Sequence, residues 1–294
     1  MKITELFKRG EFVVTAEVGP PKGFHIEHLL QEADEFLKDI TAVNVTDSQS
    51  SVMRLGSLAT CISLKNKGLT PIFQITCRDR NRIALQSDIL SAALFGIENL
   101  LLLTGDHTKM GDNPKAKPVF DLDSVSLLHL VKTLESGFDL GGNKLDGDPP
   151  SFAKGAVVSP CSDSVDVQLA KMERKIKAGA EYFQTQAVYE PEKFFKFMEK
   201  AKQFGVPIQL GIVIPKSAAM LKFMNNNVAG ISVPQAMIDE LAADKEKAKA
   251  GITGVEITAR LIRECKDHCQ GIHIMALGWE SKIPQILKLA GIGK

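Results

Sequence analysis

Short apolar runs rich in β-branched residues recur along the chain, and between them lie longer stretches whose apolar positions return every three or four residues. Eight runs can be counted, at 12–18, 42–46, 71–76, 99–104, 156–159, 182–188, 208–214 and 271–277. Most begin about 26 to 30 residues after the last, room for one strand, one helix and two loops. An α/β chain of eight such units predicts a closed parallel (β/α)8 barrel, the TIM architecture, as a single domain over residues 1–294. An open doubly wound sheet would usually carry fewer strands and a Gly-rich nucleotide turn. No G-x-G-x-x-G or Walker pattern stands at any predicted strand-to-helix turn.

Two intervals are longer than the rest. Between the fourth and fifth runs lie HTKMGDNPKAKP, the helix-like DLDSVSLLHLVKTL and the Gly- and Asp-rich DLGGNKLDGDPP. Between the seventh and eighth lie KSAAMLKFMNN, VPQAMIDELAADK and VEITARLIRECKDH. These predict loops added to one repeat and extra helices near the C-terminal part. Ser162 precedes a run with apolar Val165, Leu169, Met172 and Ile176, closed by Gly179, so a helix is predicted to start there. Pro191 opens another, with Phe194, Phe195, Met198 and Ala201 as its inward stripe and Gly205 at its end.

Composition bears on partners more than on fold. The chain is 44% apolar, enough for a large core, and 36 basic residues against 35 acidic ones leave a formal charge of +1. That balance argues against nucleic acid or an anionic membrane and for a small-molecule partner. No apolar run reaches the roughly 18 to 20 residues of a bilayer span, and the first segment lacks a secretory stretch, so a cytoplasmic location is expected. The five cysteines, Cys61, Cys77, Cys161, Cys265 and Cys269, are scattered and read as thiols. Cys265 and Cys269 stand near His268 and His273, but the spacing fits no standard zinc signature, so helix-end packing and no metal is expected.

In a barrel of this kind the reacting groups stand where strands end. Reading those ends gives Glu17; Thr46 and Asp47; Gln74 and Thr76; Thr104 and Asp106; Ser159; Gln184 and Gln186; Lys216; and Leu277 with Trp279. Glu17 lies in an apolar strand, where burial disfavours the charged form and suits a general acid. The alternative is a structural ion pair with a Lys or Arg. Gly105 permits close approach of backbone to a ligand. Asp106 offers acceptors to an amino-substituted heterocycle, or else satisfies loop amides. Gln184 and Gln186 share a strand face, where Gln186 offers donor and acceptor to a planar ring, or is solvated by neighbours in a barrel layer.

Glu17 before GPP, Thr46-Asp47, Gln74-Ile75-Thr76-Cys77, Thr104-Gly105-Asp106 and AGAEYFQTQ with Gln186 follow one another at successive strand ends. In these landmarks the chain resembles the methylenetetrahydrofolate reductases, from about residue 11 to 290. The resemblance implies a flavin at the barrel mouth, FAD with FMN as the alternative, and the reduction of 5,10-methylenetetrahydrofolate to 5-methyltetrahydrofolate in one-carbon metabolism. It implies that Glu17 is the acid that helps open the methylene bridge to an iminium, which takes hydride from the reduced flavin. Asp106 is then a catalytic group near the flavin that binds the pterin, and Gln186, Phe223 and Leu277 contact the folate. Flavin contacts carried over by position are Thr46, Gln74, Thr104, Gly105, Asp106, Asp121, Ser159, Arg174, Lys175 and Ala180. Arg174 and Lys175 either meet the phosphate or are solvated helix charges, and Phe223 either stacks on a ligand or belongs to the core.

Some positions depart from the pattern. Gln74 stands where many relatives have histidine, Ser159 where many have tyrosine, and Gly19 where an aromatic residue is usual. Leu277-Gly278-Trp279 lacks the polar and basic residues of relatives that use a nicotinamide donor. That pattern is closer to the reductases of anaerobes. The electron donor is therefore NAD(P)H or a partner subunit carrying an iron-sulfur cluster or zinc, and an oligomer or hetero-complex is expected. A second reading keeps the folate-binding barrel without independent reductase activity, as a subunit of a larger methyl-transfer or electron-transfer complex.

Overall fold

In the computed structural model, which describes residues 1–293, the eight runs form one closed parallel barrel. Its strands are β1 (Val13–Val18), β2 (Ala42–Val45), β3 (Pro71–Thr76), β4 (Asn99–Leu103), β5 (Ala153–Val158), β6 (Tyr182–Thr185), β7 (Ile208–Val213) and β8 (Gly271–Met275). Closure comes from β8 pairing with β1, so that Glu17 stands between Asn44 of β2 and Met275 of β8. Around the strands run α1 (Ile3–Lys8), α2 (Glu27–Phe36), α3 (Ser57–Asn66), α4 (Arg82–Leu94), α5 (Ser124–Glu135), α6 (Val165–Ala178) and α7 (Pro191–Ala201). The long interval before β8 holds α8 (Ala218–Asn227), α9 (Gln235–Ala243), α10 (Lys245–Lys249) and α11 (Ile252–Cys265), and α12 (Ile283–Ala290) follows it. Among the described residues no helix is long and apolar enough to cross a membrane.

Alternation along the strands sorts side chains into two environments. Outward residues such as Val14, Ala16, Val43, Phe73, Ile75 and Leu100 meet the helices in the main core. Inward residues fill the barrel in layers. At its amino end Val13, Ala42, Ile72, Leu101, Ala153 and Tyr182 form a separate apolar cluster, which Ile3 and Leu6 of α1 close like a plug. Gly155 makes room there, since a Cβ on it would lie 2.3 Å from the Tyr182 ring. The next layer is polar. Asn44 Nδ2 donates to Gln184 Oε1 (2.9 Å), Gln184 Nε2 to Gln209 Oε1 (3.1 Å), and Gln209 Nε2 to the Ile272 carbonyl (3.1 Å). These buried amides satisfy one another, as amides removed from water must.

Several boundaries differ from the pattern-based expectation. β5 begins before residue 156 because it takes in Lys154, which breaks the apolar run yet is buried between Glu135 (2.7 Å) and Glu181 (2.9 Å). β6 ends at Thr185, whose hydroxyl accepts the Gly211 N–H (2.8 Å) in place of a main-chain oxygen and donates to the Gln186 carbonyl (2.8 Å). Ser164, not Ser162, caps α6, accepting from Val167 N, while Gly179 ends the helix at φ 120°. In α7 Phe197 is buried where Phe195 was expected, and the Phe195 ring lies 4.2 Å from that of His268. All five cysteines are free and buried.

Candidate active site

Glu17 is an inward residue of β1 in the layer above Thr15, and only 8% of it is exposed. Its Oε2 accepts from Gln74 Nε2 of β3 at 3.0 Å, and its Oε1 accepts from Gln49 Nε2 at 3.2 Å. Beneath it, His273 Nε2 of β8 lies 3.7 Å from Oε2, and His273 Nδ1 is 3.0 Å from Thr15 Oγ1. Among the described residues no Lys or Arg pairs with this carboxyl, so the ion-pair alternative is not what the fold builds. Neither His273 nor Gln49 was anticipated as a partner. The signal for His273 was the alternation of Gly271, His273 and Met275 along β8, which turns His273 inward and away from Cys265 and Cys269. For Gln49, in the loop after β2, the sequence holds no such signal.

A cavity of about 400 Å³ opens over Glu17 on the β8–β1 side of the mouth. Val18, Gly19, Pro21, Leu29, Gln49, Arg54, Leu277 and Glu280 line it, and its size suits part of a small organic ligand. Leu277 stands at its lip, 40% exposed and in the left-handed region at φ 53°. Lys216 holds that turn, its Nζ donating to the Leu277 carbonyl and lying 5.0 Å from the centre of the Trp279 ring.

The other expected residues distribute around the rim. Thr46 at the end of β2 is buried with its Oγ1 unpartnered, one of two such side-chain atoms among the described residues, the other being Oε2 of Glu280 in the cavity wall. Thr104 is exposed, accepting from Ser124 N (3.0 Å), and Gly105 sits at φ 89°, packed so that a Cβ would be 3.0 Å from that of Thr76. The Asp106 side chain is exposed. Gln186 is half-buried, its Oε1 accepting from Ala187 N (3.1 Å), which leaves its NH2 for a ligand. Asp106 and Gln186 lie outside the walls of the Glu17 cavity. Ser159, after β5, is half-buried against Gly230. Phe223 on α8 is 61% exposed, not a core residue. Asp47 turns to the scaffold: its Oδ2 accepts from Thr76 N (2.9 Å), Thr76 Oγ1 (2.8 Å) and Arg80 (2.7 Å).

Of the carried-over contacts, one lies away from the mouth and another is engaged by a neighbouring side chain. Ala180 lies in the turn leading into β6, at the amino end of the barrel and buried, opposite the mouth. Asp121 is committed to Arg82 through its backbone N–H (2.8 Å) and guanidinium (2.9 Å), which hold its carboxyl down at about 2.

Arg174 and Lys175 lie on α6, on the side of Asp123 at the start of α5. Arg174 is exposed. Lys175 Nζ donates to the Val157 carbonyl (2.7 Å), and burial, with Lys171 nearby, lowers its pKa to about 8. A lysine so lowered makes the folded protein pay for a buried charge below pH 8, and that cost fades as pH rises from about 8 towards the ordinary value of 10.5. Lys175→Met is therefore expected to raise Tm relative to the parent at pH 7, with the gain shrinking by pH 10; paired thermal melts check it, and a gain that grows with pH contradicts it.

With this geometry in hand, known proteins provide comparison. A family model described as methylenetetrahydrofolate reductase matches residues 2–291. Methylenetetrahydrofolate reductase 2 of Schizosaccharomyces pombe is 26% identical over 74% of this chain and 35% of its own length. The 5,10-methylenetetrahydrofolate reductase of Pectobacterium carotovorum subsp. carotovorum is 24% identical over 87% of this chain and 82% of its own. The chain thus spans about a third of the length of the fission yeast and nematode relatives. Among solved structures, a Clostridium thermocellum protein that binds two copies of 5-methyl-5,6,7,8-tetrahydrofolic acid superposes with a TM-score of 0.68 at 17% identity, covering 99% of this chain and 98% of that one. Oxaloacetate acetylhydrolase also superposes, at a TM-score of 0.55 and 11% identity over 97% of this chain and 81% of its own, so the barrel by itself carries no function.

Proposed function

Because the chain belongs to the methylenetetrahydrofolate reductase family, we propose that it catalyses the flavin-dependent reduction of 5,10-methylenetetrahydrofolate to 5-methyltetrahydrofolate, with Glu17 as the acid. The observation that carries this reading is the buried Glu17 carboxyl, an inward strand residue held by two amides and paired with no Lys or Arg among the described residues, in the wall of a cavity on the barrel mouth. The mouth also fits a flavin. The orphaned Thr46 hydroxyl awaits a partner, and half-buried Leu103, Val157 and Met275, inward residues of the last layer, give an apolar floor for a flat ring. Thr46, Gln74, Thr104 and Gly105 would hold that ring, with Arg174 and Lys175 towards its phosphate; Asp121 and Ala180 drop out of the set.

Reduced flavin, when bound, supplies the hydride. Glu17 supplies the proton: its O–H bond breaks as it protonates the bridge nitrogen, and the electron pair of the breaking C–N bond stays on that nitrogen. The carboxylate left behind keeps the Gln74 and Gln49 N–H groups as donors, so its charge is met as it forms. Asp106 and Gln186 offer acceptors and an NH2 to the pterin edge, while Phe223 and Leu277 give apolar surface to the folate rings. The donor is expected to be a partner subunit as in the reductases of anaerobes, since Lys216 is engaged with the Leu277 turn and Leu277-Gly278-Trp279 offers a nicotinamide nucleotide no further basic group.

The purified protein is expected to take up FAD or FMN and to turn over folate with reduced ferredoxin or viologen when NADH, NADPH and these donors are assayed side by side. Refusal of both flavins overturns the reading.

A further inference from the structure

The loop after β2 is held in a conformation that L residues avoid. Ser48, Ser50 and Ser51 all have left-handed backbones, at φ 47°, 55° and 59°. Such strain persists only where surrounding contacts over-determine it, and here they are explicit. Ser51 Oγ donates to the carbonyls of Asp106 (2.9 Å) and His107 (3.1 Å). Arg78, buried, donates from Nη1 to Ser51 Oγ (3.1 Å) and from Nη2 to the Ser48 carbonyl (3.3 Å). Gly111 presses so close that a Cβ on it would lie 1.8 Å from the Ser51 carbonyl oxygen.

What this bracing presents is Gln49. Its side chain is exposed at the rim, yet its Nε2 reaches 3.2 Å from Glu17 Oε1, on the oxygen that Gln74 leaves open. We propose that Gln49 is a positioning residue for the Glu17 carboxyl, and that the strained Ser48–Ser51 loop exists to hold it there. With an amide N–H on each oxygen, the carboxyl cannot rotate about its Cγ–Cδ bond, and its proton is delivered along one direction. The same loop anchors the Asp106 carbonyl through Ser51, so it fixes the acid and the Asp106 segment relative to each other. The catalytic half of this inference rests on the reductase reading; the fixing of the carboxyl does not.

The test uses the whole chain and four variants, one of them double. Glu17→Gln identifies the Glu17 carboxyl band by its loss from the infrared spectrum, recorded without flavin or folate. In Gln49→Leu, at an exposed position that tolerates the change, that band is expected to shift, because a hydrogen bond to the carboxyl is gone. Ser51→Ala, which frees the loop, is expected to move it the same way, with no further movement in the double variant. In turnover assays Gln49→Leu is expected to lower kcat roughly 10- to 100-fold, the scale of a misplaced group, with KM for folate unchanged. An unmoved band overturns the proposal, as does a moved band with unchanged kcat. A moved band in a protein whose parent turns over no folate upholds the positioning role and overturns the reductase reading instead.

Discussion

Glu17→Gln is expected to lower folate turnover by roughly 10²- to 10⁴-fold, the usual contribution of a positioned general acid. Glutamine keeps the volume and planarity of the side chain but has no proton to give. It is buried beside Gln74 and Gln49, and the exposed Gln49 amide can flip to present its carbonyl to the new NH2, so the layer stays satisfied. Flavin uptake and photoreduction should therefore survive, since of the expected flavin contacts only Gln74 touches this side chain, and it keeps a carbonyl acceptor there. Steady-state rates set beside a flavin titration of the same variant separate the two. Turnover at the parent rate removes the acid role; loss of flavin binding along with turnover means that the substitution has damaged the mouth.

The largest effect on stability is expected at Asp47. Its carboxylate is nearly inaccessible and carries the Thr76 N–H, the Thr76 hydroxyl and Arg80 together. Removing one partner of a buried, hydrogen-bonded pair costs about 3–5 kcal/mol because the other is left uncompensated. Arg80 keeps Asp88 at 2.8 Å, which moderates the loss, so Asp47→Ala is expected near about 3 kcal/mol. Asp47→Asn, which keeps the shape and one acceptor, should cost less. Urea unfolding of both variants checks the order; a reversed order, or a loss under about 1 kcal/mol for Asp47→Ala, shows that the ends of β2 and β3 are held by something else.

The barrel was legible because its strands are buried on both faces and so appear as nearly continuous apolar runs. The expectation failed where a charge is buried by pairing, as with Lys154, since no local pattern announces Glu135 and Glu181. It also failed where two neighbouring residues compete for one role, as Phe195 and Phe197 do for the inner face of α7. Within the site, residues on strands were found because alternation and strand ends locate them: Glu17 and Gln74 meet as hydrogen-bonded partners. Ala180 stood before its strand in the chain, which already assigns it to the closed end of the barrel, whatever its neighbours resemble. Gln49 reaches Glu17 through three left-handed serines and a buried arginine, contacts between distant loops that a linear reading does not contain.

The central claim is that one carboxyl in the mouth passes a proton to a folate while a flavin there exchanges hydride with it. Anaerobic titration of the flavin-loaded protein with 5-methyltetrahydrofolate tests this in the reverse direction without any electron donor. The account predicts that the visible flavin band bleaches as 5,10-methylenetetrahydrofolate forms, and that Glu17→Gln loaded with the same flavin stays yellow. A parent protein that binds both ligands and keeps its flavin oxidised contradicts it.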